Sequence, residues 1–145
     1  ISNPMRADEG HLPQEEITRD IHCVTRWSKL DALWKGVSVD VLFETLGTPP
    51  EDYVMAHCYG DYTTNVAVAD ITGGKAWVAW EFEGAQLQPE HGGPARLVIP
   101  HLYFWKSAKW IRDFRFISKD APGFWEAAGY HMRGDPWHEE RYWGD

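Results

Sequence analysis

"ITRDIHCVTRWS", residues 17–28, alternates in part over its first eight positions and then breaks. Successive strand side chains point to opposite faces, so 17–24 reads as a short strand that delivers Cys23 at its end. A second His-Cys pair stands at 57–58 in "YVMAHCY" (53–59), a buried-strand candidate followed by "GDYTTN" (60–65), which reads as a polar loop. These are the chain's only cysteines.

Outward from that stretch, "ALWKGVSV" (32–39) reads as a strand or turn, and "KAWVAWEFEG" (75–84), alternating around Val78, Trp80 and Phe82, as the clearest strand. "ARLVIP" (95–100) is a short apolar strand entered through a Gly-Gly-Pro turn at 92–94, and "AKWIRDFRFI" (108–117) a further one. "DVLFETLG" (40–47) reads as a short helix with Asp40 as N-cap, Gly47 past its end and prolines beyond. "PGFWEAAGYH" (122–131) reads as a helical turn with Pro122 at its first position and Gly129 after it. Residues 1–16, polar with Pro4, Gly10 and Pro13, read as a loop or frayed end. Short strands with few, short helices predict an α+β class of mixed, mostly β sheets, and the missing crossover helices argue against a parallel doubly wound sheet.

The 145 residues fit one domain with one core, needing neither disulfide nor metal as a staple. Two cysteines in dissimilar contexts do not make a secreted disulfide framework. No apolar run approaches the roughly 20 residues that span a bilayer. The opening "ISNPMRADEG" has no initiator Met and no leader, and reads as a processed product or a fragment. Nine tryptophans suit pockets and stacked surfaces as well as a core. A net charge of −8 argues against a nucleic-acid partner. The charge is uneven. Residues 96–119 carry Arg96, Lys106, Lys109, Arg112, Arg115 and Lys119 against Asp113 alone, a local net of +5, whereas 120–145 carry six acids against Arg133 and Arg141. A basic segment inside an acidic protein is the footprint of a local anion site.

Three chemistries are open to the cysteines. Structural zinc needs four ligands, but adjacent His and Cys on a strand face opposite ways, so each pair supplies one at most. Cys23, with Arg19 and Arg26 near it in sequence, suits a thiolate, which is both nucleophile and soft metal ligand. Cys58, among apolar neighbours, reads as inert. In "PEHGGPARLVIPHLYFWKSAKW" (89–110), glycines allow close backbone approach, Arg96 offers a bidentate fork and Lys106, Ser107 and Lys109 follow, an array suited to a phosphate. Neither a GxxxxGK[ST] loop nor a GxGxxG fingerprint occurs.

Taken in order, "DIHCVTRWS", "HCYGDYTTN", "EHGGPARLVIP…YFWKSAKWI" and "GYHMRGDPWHEERYW" resemble the molybdopterin-binding domain of the sulfite oxidase family, and more closely its small bacterial branch. The match runs from about residue 14 to 145. The resemblance implies a sulfite-oxidase-type fold and a molybdenum-molybdopterin cofactor. It implies Cys23 as the molybdenum ligand and catalytic centre, with Cys58 a bystander. His91, Arg96, Lys106, Ser107 and Lys109 would hold the pterin and its phosphate, while His22, Thr25, Arg26, Asp61, Tyr62 and Thr63 would border the pterin's polar edge or the substrate funnel. It implies oxygen-atom transfer on a small substrate, with electrons passed to or from a haem or other redox protein, in the cytoplasm, or the periplasm if a leader precedes residue 1. Val24-Thr25-Arg26-Trp27 departs from the Gly-Asn-Arg-Arg run of eukaryotic sulfite oxidases, and Thr25 from the glutamate of the methionine sulfoxide reductase branch. The family's domain usually begins with further strands ahead of the cysteine, which this chain is expected to lack.

Overall fold

A computed structural model describes residues 12–47 and 51–145. The loop expected over 1–16 falls largely outside them, as do the prolines after the first helix, but Glu15 and Glu16 open the first strand, paired with Gly36 and Lys35, rather than closing a loop. The elements are two antiparallel sheets and two short helices. The first sheet is built from β1 (Glu15–His22), β2 (Ser28–Ser38), β5 (Trp77–Phe82), β6 (Ala85–Gln86) and β7 (Arg96–Val98), in the order β1-β2-β5-β6, with β7 also on β5. The second is β4 (Thr63–Ala67), β3 (Tyr53–Cys58) and β8 (Ile111–Ile117), in that order. Every pairing of these strands is antiparallel, and β1-β2, β3-β4 and β5-β6 are joined by short turns. Among the described residues no helix is long and apolar enough to cross a membrane.

Alternation along β5 explains how the sheet is covered on both faces. Val78 enters the main core with Val37 and Leu97 from its own sheet, Ile99 just past β7, and Val54, Ala56, Val66 and Phe114 from the other sheet. Trp77 and Ala79 point the opposite way, into a second cluster with Ile17, Ile21, Trp34 and Val98. The period of two is therefore apolar on both sides over Trp77–Ala79, and burial falls off toward Trp80 and Phe82 at the strand's end. Gly36 sits where β2 slips register against β5, and a Cβ there would lie 2.2 Å from the Val78 carbonyl oxygen. Only glycine allows that crossing.

Two details differ from the sequence reading. The helix α1 (Val39–Leu46) is capped by Ser38, whose hydroxyl accepts from the Asp40 amide, while the Asp40 carboxylate accepts from the Gly73 and Gly74 amides. Asp40 is the cap expected from sequence, but both residue types serve, and the cap and first helical residue fall two residues earlier. The expected polar loop at 60–65 ends early, because Thr63–Asn65 open β4. Thr64 and Asn65 are buried polar residues whose side chains bond Glu126 and Asp120, so their polarity is satisfied inside. The second helix, α2, is the single turn Phe124–Ala127 that carries Glu126, with Gly123 as its cap rather than Pro122 at its first position.

Candidate functional site

β1 ends at His22, and Cys23 begins a tight turn. The Cys23 amide donates to the Trp27 carbonyl (2.9 Å) and the Arg26 amide to the Cys23 carbonyl (3.0 Å), with Arg26 in the left-handed region at φ 71°. That turn hangs the Cys23 sulfur over a cavity of about 520 Å³. Thr25 Oγ1 lies 3.1 Å from Cys23 Sγ and holds the sulfur's orientation. Across the cavity stand Arg96, Ser107 and Lys109, brought there by β7 and by the turn before β8. Apart from Val24 and Ala108, its remaining wall is aromatic: Tyr62, Phe104, Trp105, Trp110, Trp125 and Tyr130.

Arg96 is the unusual group. It is 2% exposed, yet it bonds only backbone carbonyls: Nη1 to His91 (2.9 Å) and Nη2 to Ser107 (2.6 Å). Phe104 lies 4.4 Å from the guanidinium carbon and Trp34 5.4 Å. Aromatic faces stabilise a cation by about 0.5–2 kcal/mol each, well short of the several kcal/mol that desolvation demands. No carboxylate among the described residues pairs with it, and burial pulls its pKa down from the ordinary arginine value. Lys109 points its ammonium at the Glu90 carbonyl, and burial, then the Arg96 charge, lower its pKa too. Two neighbouring cations without a counterion make a site for an anion. The backbone is shaped to bring them together. Gly92, at φ 105°, passes so near that a Cβ there would lie 3.0 Å from Arg96 Cβ and 3.1 Å from Lys109 Cβ. The residues present thus fit a phosphate-bearing group whose far end reaches a soft ligand at Cys23.

Lys106 has a different job from the one its spacing suggested. Its ammonium is fully buried and bonds Glu126 Oε2 (2.8 Å), the Asn65 carbonyl (2.6 Å) and the Met132 carbonyl (2.6 Å). The same Glu126 oxygen accepts from Thr64 and from Trp105 Nε1, both at 2.8 Å. Every donor of Lys106 is thereby committed to the fold, and it does not line the cavity.

Of the residues singled out from sequence, the cavity gathers Cys23, Thr25, Tyr62, Arg96, Ser107 and Lys109. Tyr62 donates to the Trp105 carbonyl (2.8 Å), and burial, then Glu126, raise its pKa. Ser107 accepts from the Ile99 amide. His22, Arg26, Asp61, Thr63 and His91 stay off the wall. His22 Nδ1 faces Ser28 Oγ, Arg26 and Asp61 are exposed in their turns, Thr63 is half-buried in β4, and His91 contributes its carbonyl to Arg96. Cys58 sits in the main core with its pKa pushed up to about 12 by burial and then Asp113. Both cysteines are free thiols. The aromatic wall was missed. Its signal was the run Phe104-Trp105 next to the basic cluster, but Trp125 arrives from α2 and Tyr130 from the bridge that follows it, a connection no local pattern carries.

The family model described as "Oxidoreductase molybdopterin binding domain" matches residues 7–125. The uncharacterized oxidoreductase YuiH of Bacillus subtilis is 48% identical over 139 residues, 95% of this chain and 70% of YuiH. The putative protein-methionine-sulfoxide reductase subunit YedZ1 of Azospira oryzae is 31% identical over 88% of this chain and 49% of its own length. Among solved structures, the sulfane dehydrogenase SoxCD from Paracoccus pantotrophus superposes with a TM-score of 0.67 over 77% of this chain and 34% of that one, at 20% identity, a likeness of fold. The chain therefore spans about half of YedZ1 and a third of SoxCD. With a turn-borne thiol, an uncompensated guanidinium and this coverage in agreement, the chain belongs to the oxidoreductase molybdopterin-binding domain family.

Proposed function

We propose that the cavity holds a molybdenum-molybdopterin and that the protein transfers an oxygen atom to or from a small neutral substrate. Bound there, the cofactor supplies two-electron chemistry at the metal. The chain supplies the rest. Cys23 Sγ would ligate molybdenum, with Thr25 orienting the sulfur. Arg96 and Lys109 would neutralise the phosphate, Ser107 would meet the same end, and Tyr62 with the aromatic wall would enclose the pterin and exclude water. The observation that carries this reading is Arg96, a buried cation whose missing counterion only a ligand can supply.

The substrate class follows from what is left over. Once Arg96 and Lys109 serve the phosphate, the lining keeps no cation for a second anion such as sulfite. An uncharged oxygen donor, a sulfoxide for example, suits the aromatic wall, and YedZ1 is named for methionine sulfoxide. A separate redox protein would carry the electrons. Elemental analysis of protein made in a cofactor-competent host tests the reading. About one molybdenum per chain is expected in the wild type and in Cys58→Ser, and loss of catalytic turnover in Cys23→Ser. Protein that stays free of molybdenum would identify a cofactor-free domain on the same fold. An alkylating probe that trapped Cys23 and abolished turnover of a metal-free preparation would identify a thiol enzyme.

A further inference from the structure

The turn that carries Cys23 is pinned on both sides. Before it, His22 Nδ1 faces Ser28 Oγ at 2.8 Å, and the His22 ring meets Trp137 edge-on at 5.7 Å. After it, Trp27 meets Phe104 edge-on at 6.4 Å, and Phe104 in turn lies against the Arg96 guanidinium. Backbone bonds from the Cys23 amide to Trp27 and from the Arg26 amide to Cys23 close the turn between these anchors. A threonine hydroxyl in such a turn ordinarily bonds nearby backbone. Thr25 does not. Among the described residues its one hydrogen-bond partner is the Cys23 sulfur, at 3.1 Å, and no other described side chain bonds that sulfur.

The direction of this bond follows from the cofactor reading above, on which the inference rests. A sulfur that ligates a metal has lost its proton, so it accepts and Thr25 donates. A hydrogen bond to an anionic acceptor is stronger than one to a neutral acceptor, and it strengthens as the acceptor's charge grows. The sulfur carries more negative charge when the metal is reduced, because an electron-rich metal draws less density from its ligand. The bond is therefore stronger in the reduced state. A contact stronger in one of two states shifts the equilibrium toward that state.

We propose that Thr25 is a positioning residue that raises the reduction potential of the metal centre through its hydroxyl bond to Cys23 Sγ. The other polar groups of the cavity are committed elsewhere: Arg96 and Lys109 rest on carbonyls, Ser107 accepts from Ile99, and Tyr62 donates to Trp105. Thr25 is thus the one described side chain placed to act on the sulfur. A centre of higher potential is loaded by a weaker electron donor, and the loaded state is the one able to remove oxygen from a sulfoxide.

The test is a redox titration of molybdenum-loaded protein, with dithionite supplying electrons and ferricyanide removing them. Electron paramagnetic resonance follows the one-electron-reduced metal. Thr25→Val keeps the branched shape and removes the hydroxyl, and it should lower the midpoint by about 59 mV, a tenfold shift in a one-electron equilibrium. Thr25→Ser keeps the hydroxyl and should titrate with the wild type. A Thr25→Val midpoint equal to that of the wild type would overturn the proposal. So would equal shifts in both variants, which would trace the effect to packing of the lost methyl group. The wild type supplies a second reading that needs no substitution. Exchange of the hydroxyl proton for deuterium in heavy water should shift the metal–sulfur stretch in the resonance Raman spectrum, and an unmoved band would also overturn the proposal. Wild-type protein without molybdenum would overturn the cofactor reading instead, so the two failures are separable.

Discussion

Arg96 and Lys106 come from one eleven-residue stretch, are both buried, and face opposite electrostatic situations. Lys106 has a carboxylate at 2.8 Å and carbonyls around it, so its charge is neutralised where it stands. Arg96 has carbonyl dipoles and aromatic faces but no acid. A buried ion pair is a structural bond, and a buried ion without its partner is an invitation to a ligand. In sequence the two cations look alike.

The largest effect should come from breaking the pair. Lys106→Met leaves Glu126 buried and unpaired, and denaturant unfolding should show a loss of about 3–5 kcal/mol. Lys106→Met with Glu126→Gln should recover most of it, because the amide still accepts from Thr64 and Trp105. Equal losses in the single and double variants would break the contrast from the Lys106 side.

Arg96→Met should act in the reverse sense. The metal-free fold should unfold at nearly the wild-type denaturant midpoint, while cofactor retention drops between about 10- and 100-fold, the worth of one charge-assisted hydrogen bond to a phosphate. A third cation sharpens the comparison. Arg133, half-exposed, grips buried Asp70 through Nε and Nη2, both at 3.2 Å, and His101 bonds the same carboxylate. Burial alone would raise the Asp70 pKa, but these hydrogen bonds outweigh it and hold the carboxyl at about 2. Its folded pKa thus lies below the unfolded one, so the stabilisation is complete above about pH 4 and is lost as pH falls toward 2. Acid unfolding of the wild type against Asp70→Asn should differ by about 2 kcal/mol across that window. The smallest effect belongs to Cys58→Ala, which trims one sulfur from the core and should lower stability by about 1 kcal/mol without touching molybdenum content. Iodoacetamide on native metal-free protein should label Cys23 and leave Cys58, whose thiol stays protonated far above neutral pH.

Much of this was legible in the chain itself. β1, β3, β5 and β8 follow from alternation, and the placing of Cys23 at a strand end follows from where the alternation stops. β4 was not legible, since Thr64 and Asn65 are polar and buried, and only partners about 55–60 residues away make that tolerable. In the site, the cationic segment marked Arg96, Ser107 and Lys109, yet local sequence could not tell that Lys106 meets Glu126 of α2 twenty residues on. The aromatic wall failed for the same reason: Trp125 and Tyr130 join Trp105 only through tertiary packing. Residue type is written locally, whereas pairing is a property of the fold.

The most direct trial is a molybdenum K-edge absorption spectrum of the purified protein beside Cys23→Ser. Three sulfur neighbours in the wild type, two from the pterin and one from Cys23, falling to two in the variant, are the predicted outcome. An identical sulfur shell in both proteins would contradict it.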